Sequence, residues 1–148
     1  LYLNQGGKLF ASTPLPTNFT GPERNGVSAL FGFSPMDSLS SSNGQARVPA
    51  DSLLTPPASF SDYPTLVNNA FIIGADPFYA KDPSNILYSA GLLRTGGWVG
   101  PATMAGRTVG TTGNVNQVFF SIELHKLDKD PVALKDMIDR VLNTDFNW

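Results

Sequence analysis

The sequence predicts an α+β fold, an antiparallel β-sheet with an N-terminal hairpin and a C-terminal helix packed against it. Three observations carry this. Val118, Phe120, Ile122 and Leu124 alternate with Phe119, Ser121, Glu123 and His125, the pattern of a half-buried strand. Behind Asp130-Pro131, residues Leu134, Met137, Ile138, Val141 and Leu142 fall on one apolar stripe at helical spacing. Further upstream, short apolar runs are separated by Gly, Pro, Asn and Asp clusters, the punctuation of a sheet protein.

In chain order, Leu1-Tyr2-Leu3 and Lys8-Leu9-Phe10-Ala11 flank Asn4-Gln5-Gly6-Gly7, a hairpin whose glycines supply positive φ. Residues 12–22 are turn-rich, and Asn18-Phe19-Thr20 fits the glycosylation sequon, a pattern short enough to arise by chance. Asn25-Gly26 leads into a strand over Val27 to Phe33, and Ser34-Pro35 is expected to cap a short helical turn. Ser38 to Pro64 is a long loop or insertion without a clear period. Two alternatives within it stay open, a short strand around Ala46-Arg47-Val48 or a helical turn at Ser52-Leu53-Leu54. Ala70 to Ile73 and Ile86 to Leu93 are expected to pair as antiparallel strands across a wide turn holding Asp76-Pro77 and Asp82-Pro83. Thr95 to Asn114, with six glycines, is expected to be a flexible loop. The helix spans Pro131 to Leu142, with Asp130 as N-cap and Pro131 at the first helical position. Lys135 with Asp139, and Asp136 with Arg140, are i,i+4 pairs on its wet side.

The 148 residues suit one domain, 1–148, large enough for a core without disulfides. There are no cysteines, which excludes thiol catalysis and thiolate metal sites. Net charge is −2, charged residues make up only 15%, and no Lys/Arg run exists, so a dedicated phosphate-binding stripe is not expected. No stretch approaches a membrane span. No signal peptide is visible, and the start at Leu1 implies a missing initiator Met or processing.

No catalytic constellation stands out, so the chain is read as non-enzymatic, with no cofactor and no metal. His125 is the only histidine; on a continuous strand Ser121 would lie about 13 Å from it, too far for a triad. Without Cys, and with Lys129 between Asp128 and Asp130, metal ligation has little to draw on. The glycines of 96–113 lack the Gly-Lys-Ser/Thr of a phosphate loop. Tyr2, Phe10, Phe78, Tyr79 and Trp148 are candidate aromatic binding platforms as well as core or interface residues.

At the tail, Phe119 to Leu124, the polar linker to Asp130 and the helix from Pro131 to Leu142 resemble the coat proteins of single-stranded RNA bacteriophages. Asn25-Gly26-Val27 resembles that family's segment leading into a strand, and the two expected hairpins fall in its order. The chain departs from the family in the Ser38–Pro64 insertion, in lacking a full second C-terminal helix, and in lacking Lys and Arg on its sheet strands. The resemblance implies a self-assembling viral coat protein, an obligate homodimer building a shell around RNA in a virion, with the helix packed on the sheet of a partner subunit. Leu134, Met137, Ile138 and Val141 would then be the dimer and core residues of the helix. Ser89, Arg94, Ser121 and His125 would be the RNA-facing candidates on the sheet, making weak, mainly non-specific contacts. Dimerisation also has a physical ground, because one helix is too small to cover a sheet of about five strands and would leave an apolar face exposed. The alternative is a secreted or surface β-domain that binds a ligand or glycan through aromatic loops.

Overall fold

The computed structural model describes residues 5–12, 33–35, 47–73, 78–80, 82–94 and 97–148; for 33–35, 73, 78–80, 94 and 97–101 the backbone alone is described. The expected strands at Leu1–Leu3 and Val27–Gly32, the sequon at Asn18 and the turn at Asn25-Gly26 lie outside these residues.

Among the described residues, ten strands form one mixed, curled sheet, and a single α-helix at the C-terminal end packs against it. The strands are β1 (Leu9–Ser12), β2 (Phe33–Pro35), β3 (Arg47–Val48), β4 (Leu53–Thr55), β5 (Leu66–Val67), β6 (Ile72–Ile73), β7 (Phe78–Ala80), β8 (Ile86–Arg94), β9 (Gly97–Val109) and β10 (Val115–Phe120). The backbone of the sheet is the antiparallel meander β8–β9–β10. β8 runs against β9 from Ile86↔Gly106 to Arg94↔Gly97, and β10 runs against the end of β9. Along its other edge β9 also meets β7 at Thr103, and β7 pairs with β2. The outer edge of β8 is shared between β4 and β3. β1 lies parallel to β10, so the sheet is mixed rather than purely antiparallel. Bulges interrupt both long pairings, and bulges bend and twist the strands that carry them.

Several expectations change. Thr95–Asn114 is not a flexible loop: most of it is β9, the longest strand. Small residues suit this position because Ala102 and Ala105 are buried and Gly106 is flanked by both Ile86 and Phe119. Ser34 and Pro35 do not start a helix but lie in β2, where Pro35 occupies the strand end opposite Phe78. The 70–93 hairpin is absent: β6 pairs with β3, and β3 separates it from β8. Within Ser38–Pro64, Arg47-Val48 is a strand, and Leu53-Leu54-Thr55 is a strand rather than a helical turn.

β10 is buried on both faces. Val118, Phe119 and Phe120 are all enclosed, as is Ser121 just beyond, so the alternation does not mark a half-solvated strand. The strand ends at Phe120, and Leu124-His125-Lys126 forms a 3₁₀ turn. The core is built around an aromatic chain. Phe10 and Tyr88 lie 5.9 and 5.7 Å from Phe120, Tyr63 lies 6.3 Å from Tyr88, and Phe60 lies 5.9 Å from Tyr63. Ser12 fastens β1 to this core: its Oγ donates to the Ile122 carbonyl at 2.8 Å and accepts from the Leu124 N–H at 2.8 Å.

The helix α1 (Pro131–Arg140) begins as expected. The Asp130 carboxylate accepts from the Val132 and Ala133 N–H groups at 3.1 and 3.0 Å, with Pro131 at the first position. Both surface ion pairs are formed, Lys135 with Asp139 and Arg140 with Asp136. Beyond Arg140 the helix widens into a π-helical turn, Val141–Asp145, in which the Phe146 N–H reaches the Val141 carbonyl at 2.8 Å. Asn147, at φ 51°, reverses the chain after it. Met137 and Val141 are fully buried in the chain's own core, and Leu134, Ile138 and Leu142 pack against that core while staying partly open. Val118, Phe120 and Ile122 are therefore covered within one chain, which removes the exposed sheet face from which a dimer was expected.

Candidate functional site

Of the RNA-facing candidates, Ser89, Ser121 and His125 do not gather on one surface. Ser121 is enclosed, and its Oγ donates to the Met104 carbonyl at 3.1 Å, so it is not available to a polyanion. Ser89 is half-buried inside the sheet, opposite Thr55 and Thr103. Arg94 is the last residue of β8, and His125 is exposed on the 3₁₀ turn after β10, not on a sheet face. Ser121 and His125 thus lie in different settings, one in the core and one on the surface. Among the described residues no group of three or more His, Asp or Glu is placed to hold a metal ion, and no helix is long and apolar enough to cross a membrane.

What the fold does assemble is an open polar cleft of about 370 Å³. Three segments form it: Gly6 and Lys8 before β1, the β9–β10 turn, and residues 144–147 at the end of the π-helical turn. The turn is tightly made. The Gly110 N–H donates to the Asn114 carbonyl at 2.8 Å, the Gly113 N–H donates to the Gly110 carbonyl at 3.0 Å, and Gly113 takes φ +81°, which glycine alone adopts freely. Immediately after it, the register of β9 and β10 slips between Val115 and Gln117, making Asn116 the extra residue of a β-bulge. Asn116 lines the cleft. Its Oδ1 is buried with no hydrogen-bond partner, and a Cβ added at Gly110 would come within 2.8 Å of its Nδ2.

Beneath the cleft lies Asp145, the last residue of the π-helical turn. Its carboxylate accepts from Arg107 Nη1 at 3.1 Å and from the Tyr63 hydroxyl at 2.7 Å. Its side chain is only 4% exposed, so pairing with the guanidinium is what permits the charge there. The Arg107 guanidinium also stacks over Phe60 at 4.4 Å. Burial, reinforced by the hydrogen bond to Asp145, pushes the Tyr63 hydroxyl well above the ordinary tyrosine range, and burial does the same for Tyr88. Lys8 Nζ lies 6.0 and 5.9 Å from the ring centroids of Phe146 and Trp148. Of the aromatic platforms expected, Phe10 packs against the core, and Trp148 stands 70% exposed beside Phe146.

A second surface feature lies where the β5–β6 connection meets the linker into α1. The Asn69 N–H donates to the Lys126 carbonyl at 2.8 Å, its side-chain amide donates to Asp128, and Lys129 pairs with Asp51. Three large apolar side chains flank this seam in sequence and remain exposed, Leu53 at 55%, Phe71 at 49% and Val132 at 77%.

Asn116, Arg107 and Tyr63 were not singled out from the sequence. Gly110-Thr111-Thr112-Gly113-Asn114 is a turn signature between Val109 and Val115, and it was the available pointer to the hairpin that carries the cleft. No family model matches the chain, and neither a curated protein nor a solved structure shows significant similarity to it.

Proposed function

We propose that the domain is a structural subunit that associates with copies of itself, in the manner of the coat proteins its tail resembles. The exposed Leu53, Phe71 and Val132, which lie two or three residues in sequence from Asp51, Asn69 and Lys129 of the seam, carry this reading. Single exposed apolar residues are ordinary, and a group of them is a mark of an interface. Asp51 and Lys129 of that seam are already paired within the chain, so these two charges add little repulsion toward an identical copy. The partly open flank of α1, Leu134, Ile138 and Leu142, supplies further apolar surface for a homodimer. A last strand, β10, followed by a polar linker and a capped helix is the order the resemblance implies, and it supports the same reading. Within a shell, RNA would be held weakly and without sequence preference, because the net charge is −2 and the candidate contacts are dispersed.

Light scattering on the wild type and on a Leu53→Ser/Phe71→Ser double variant tests this. The wild type is expected to form dimers and larger assemblies. The double variant is expected to remain monomeric with a change in folding stability of about 0.5 kcal/mol or less, as for exposed substitutions. A double variant that assembles as the wild type does would refute the interface.

A further inference from the structure

The cleft beside the C-terminal turn is separate in sequence and lining from the seam just described, and its chemistry selects a ligand. Its charges are largely cancelled from within. Both oxygens of Asp145 are engaged, by Arg107 and Tyr63, and the Lys8 ammonium is the one cationic group among the lining residues. The remaining polar groups are the hydroxyls of Thr111, Thr112 and Thr144 and the amides of Asn114, Asn116 and Asn147. Each of these both donates and accepts hydrogen bonds. An anion such as phosphate is mainly an acceptor, so it would leave the amide oxygens without donors, and a single lysine would be left to balance its charge. A wholly apolar ligand would strip water from the amides without replacing their hydrogen bonds.

A compact neutral ligand with several hydroxyls satisfies both constraints. Its hydroxyls, which donate and accept as the amides and threonines do, can pair with them. The volume, about 370 Å³, is at the small end for a ligand site, which suits one such unit. Asn116 adds a specific incentive. As the extra residue of the bulge it is held against Gly110, and its Oδ1 makes no hydrogen bond. An unmade bond on a buried oxygen is costly, and rotation of the amide toward a ligand hydroxyl completes it. Bulges recur beside binding sites because they re-aim a side chain in this way.

We infer that this cleft binds a neutral hexopyranose unit, with Asn116 as its principal hydrogen-bonding residue. The test is an amide-resolved NMR titration of the whole chain. The probes are glucose, galactose and N-acetylglucosamine, their β-linked disaccharides and, separately, inorganic phosphate. At least one sugar is expected to give saturable shifts confined to residues 110–116 and 144–148, while phosphate gives none there. Preference for a disaccharide supports the proposal with a glycan chain as the source, and equal binding supports it with a free sugar. Asn116→Ala, and independently Gly110→Ala, whose added Cβ crowds the Asn116 amide, should each weaken that binding about tenfold with other amide positions unchanged. If Asn116→Ala does not fold, Gly110→Ala decides. The proposal is overturned if no sugar shifts those amides saturably, if phosphate shifts them as the sugars do, or if the folded variants bind like the wild type.

Discussion

The two oxygens of Asp145 are shared between the Arg107 guanidinium and the Tyr63 phenol, and this small network ties the end of the helix to β9 and to the turn before β5. Removing either partner exposes a different cost. Tyr63→Phe leaves one carboxylate oxygen without its donor and should destabilise the fold by about 1–3 kcal/mol. Arg107→Met leaves the buried charge itself unpaired and should cost more, about 3–5 kcal/mol less what the partly exposed guanidinium already shares with water. Adding Asp145→Asn to Arg107→Met should recover part of the loss, and urea unfolding of the four proteins measures all three effects. The pH dependence follows from the same groups. The Tyr63 hydroxyl is raised by burial and by Asp145, so its contribution is complete below the ordinary tyrosine value of about 10 and is lost as pH climbs past it. Glu123 is lowered by its hydrogen bond with Lys126, so its contribution is present above about pH 4.3 and is lost as pH falls through its depressed folded value. Stability measured against pH should therefore show a shallower alkaline limb in Tyr63→Phe and a shallower acid limb in Glu123→Gln.

Among the elements, the helix depends most on the inner of its two apolar rows. Met137 and Val141 are enclosed, while Leu134 and Ile138 lie on the row beside them and keep some exposure. Met137→Ala should cost about 2–5 kcal/mol by leaving a cavity, and Leu134→Ala clearly less, which thermal unfolding of the two variants resolves. This helix was legible from the sequence because its cap, its stripe and its ion pairs are all local. β9 was not, because its glycines and alanines read as loop when taken alone. Their strand conformation is set by pairing with β8 on one side and with β7 and β10 on the other, and those partners are remote in sequence. β10 was legible as a strand, but its two buried faces were not, since Ser121 interrupts an otherwise continuous apolar run. Its hydroxyl is satisfied by Met104, a contact that no spacing rule reveals. The cleft was hidden for a related reason. A one-residue bulge at Asn116 depends on the register of two strands, and its juxtaposition with Lys8 and Phe146 depends on β1 lying parallel to β10.

At the scale of the molecule, a single chain covers the sheet that the sequence suggested a partner would have to cover, with Val118, Phe120, Ile122, Met137 and Val141 in one core. The association proposed above is then a matter of surface, through Leu53, Phe71, Val132 and the open flank of α1, and it need not be coupled to folding. Dimers joined this way should dissociate into folded monomers on dilution, unlike a core-sharing dimer, which would unfold as it separates. Sedimentation of the wild-type chain over a wide concentration range, with circular dichroism recorded at each concentration, measures this directly. The account predicts a reversible rise from monomer to dimer and larger assemblies with an unchanged folded spectrum; a monomer at every concentration would contradict it.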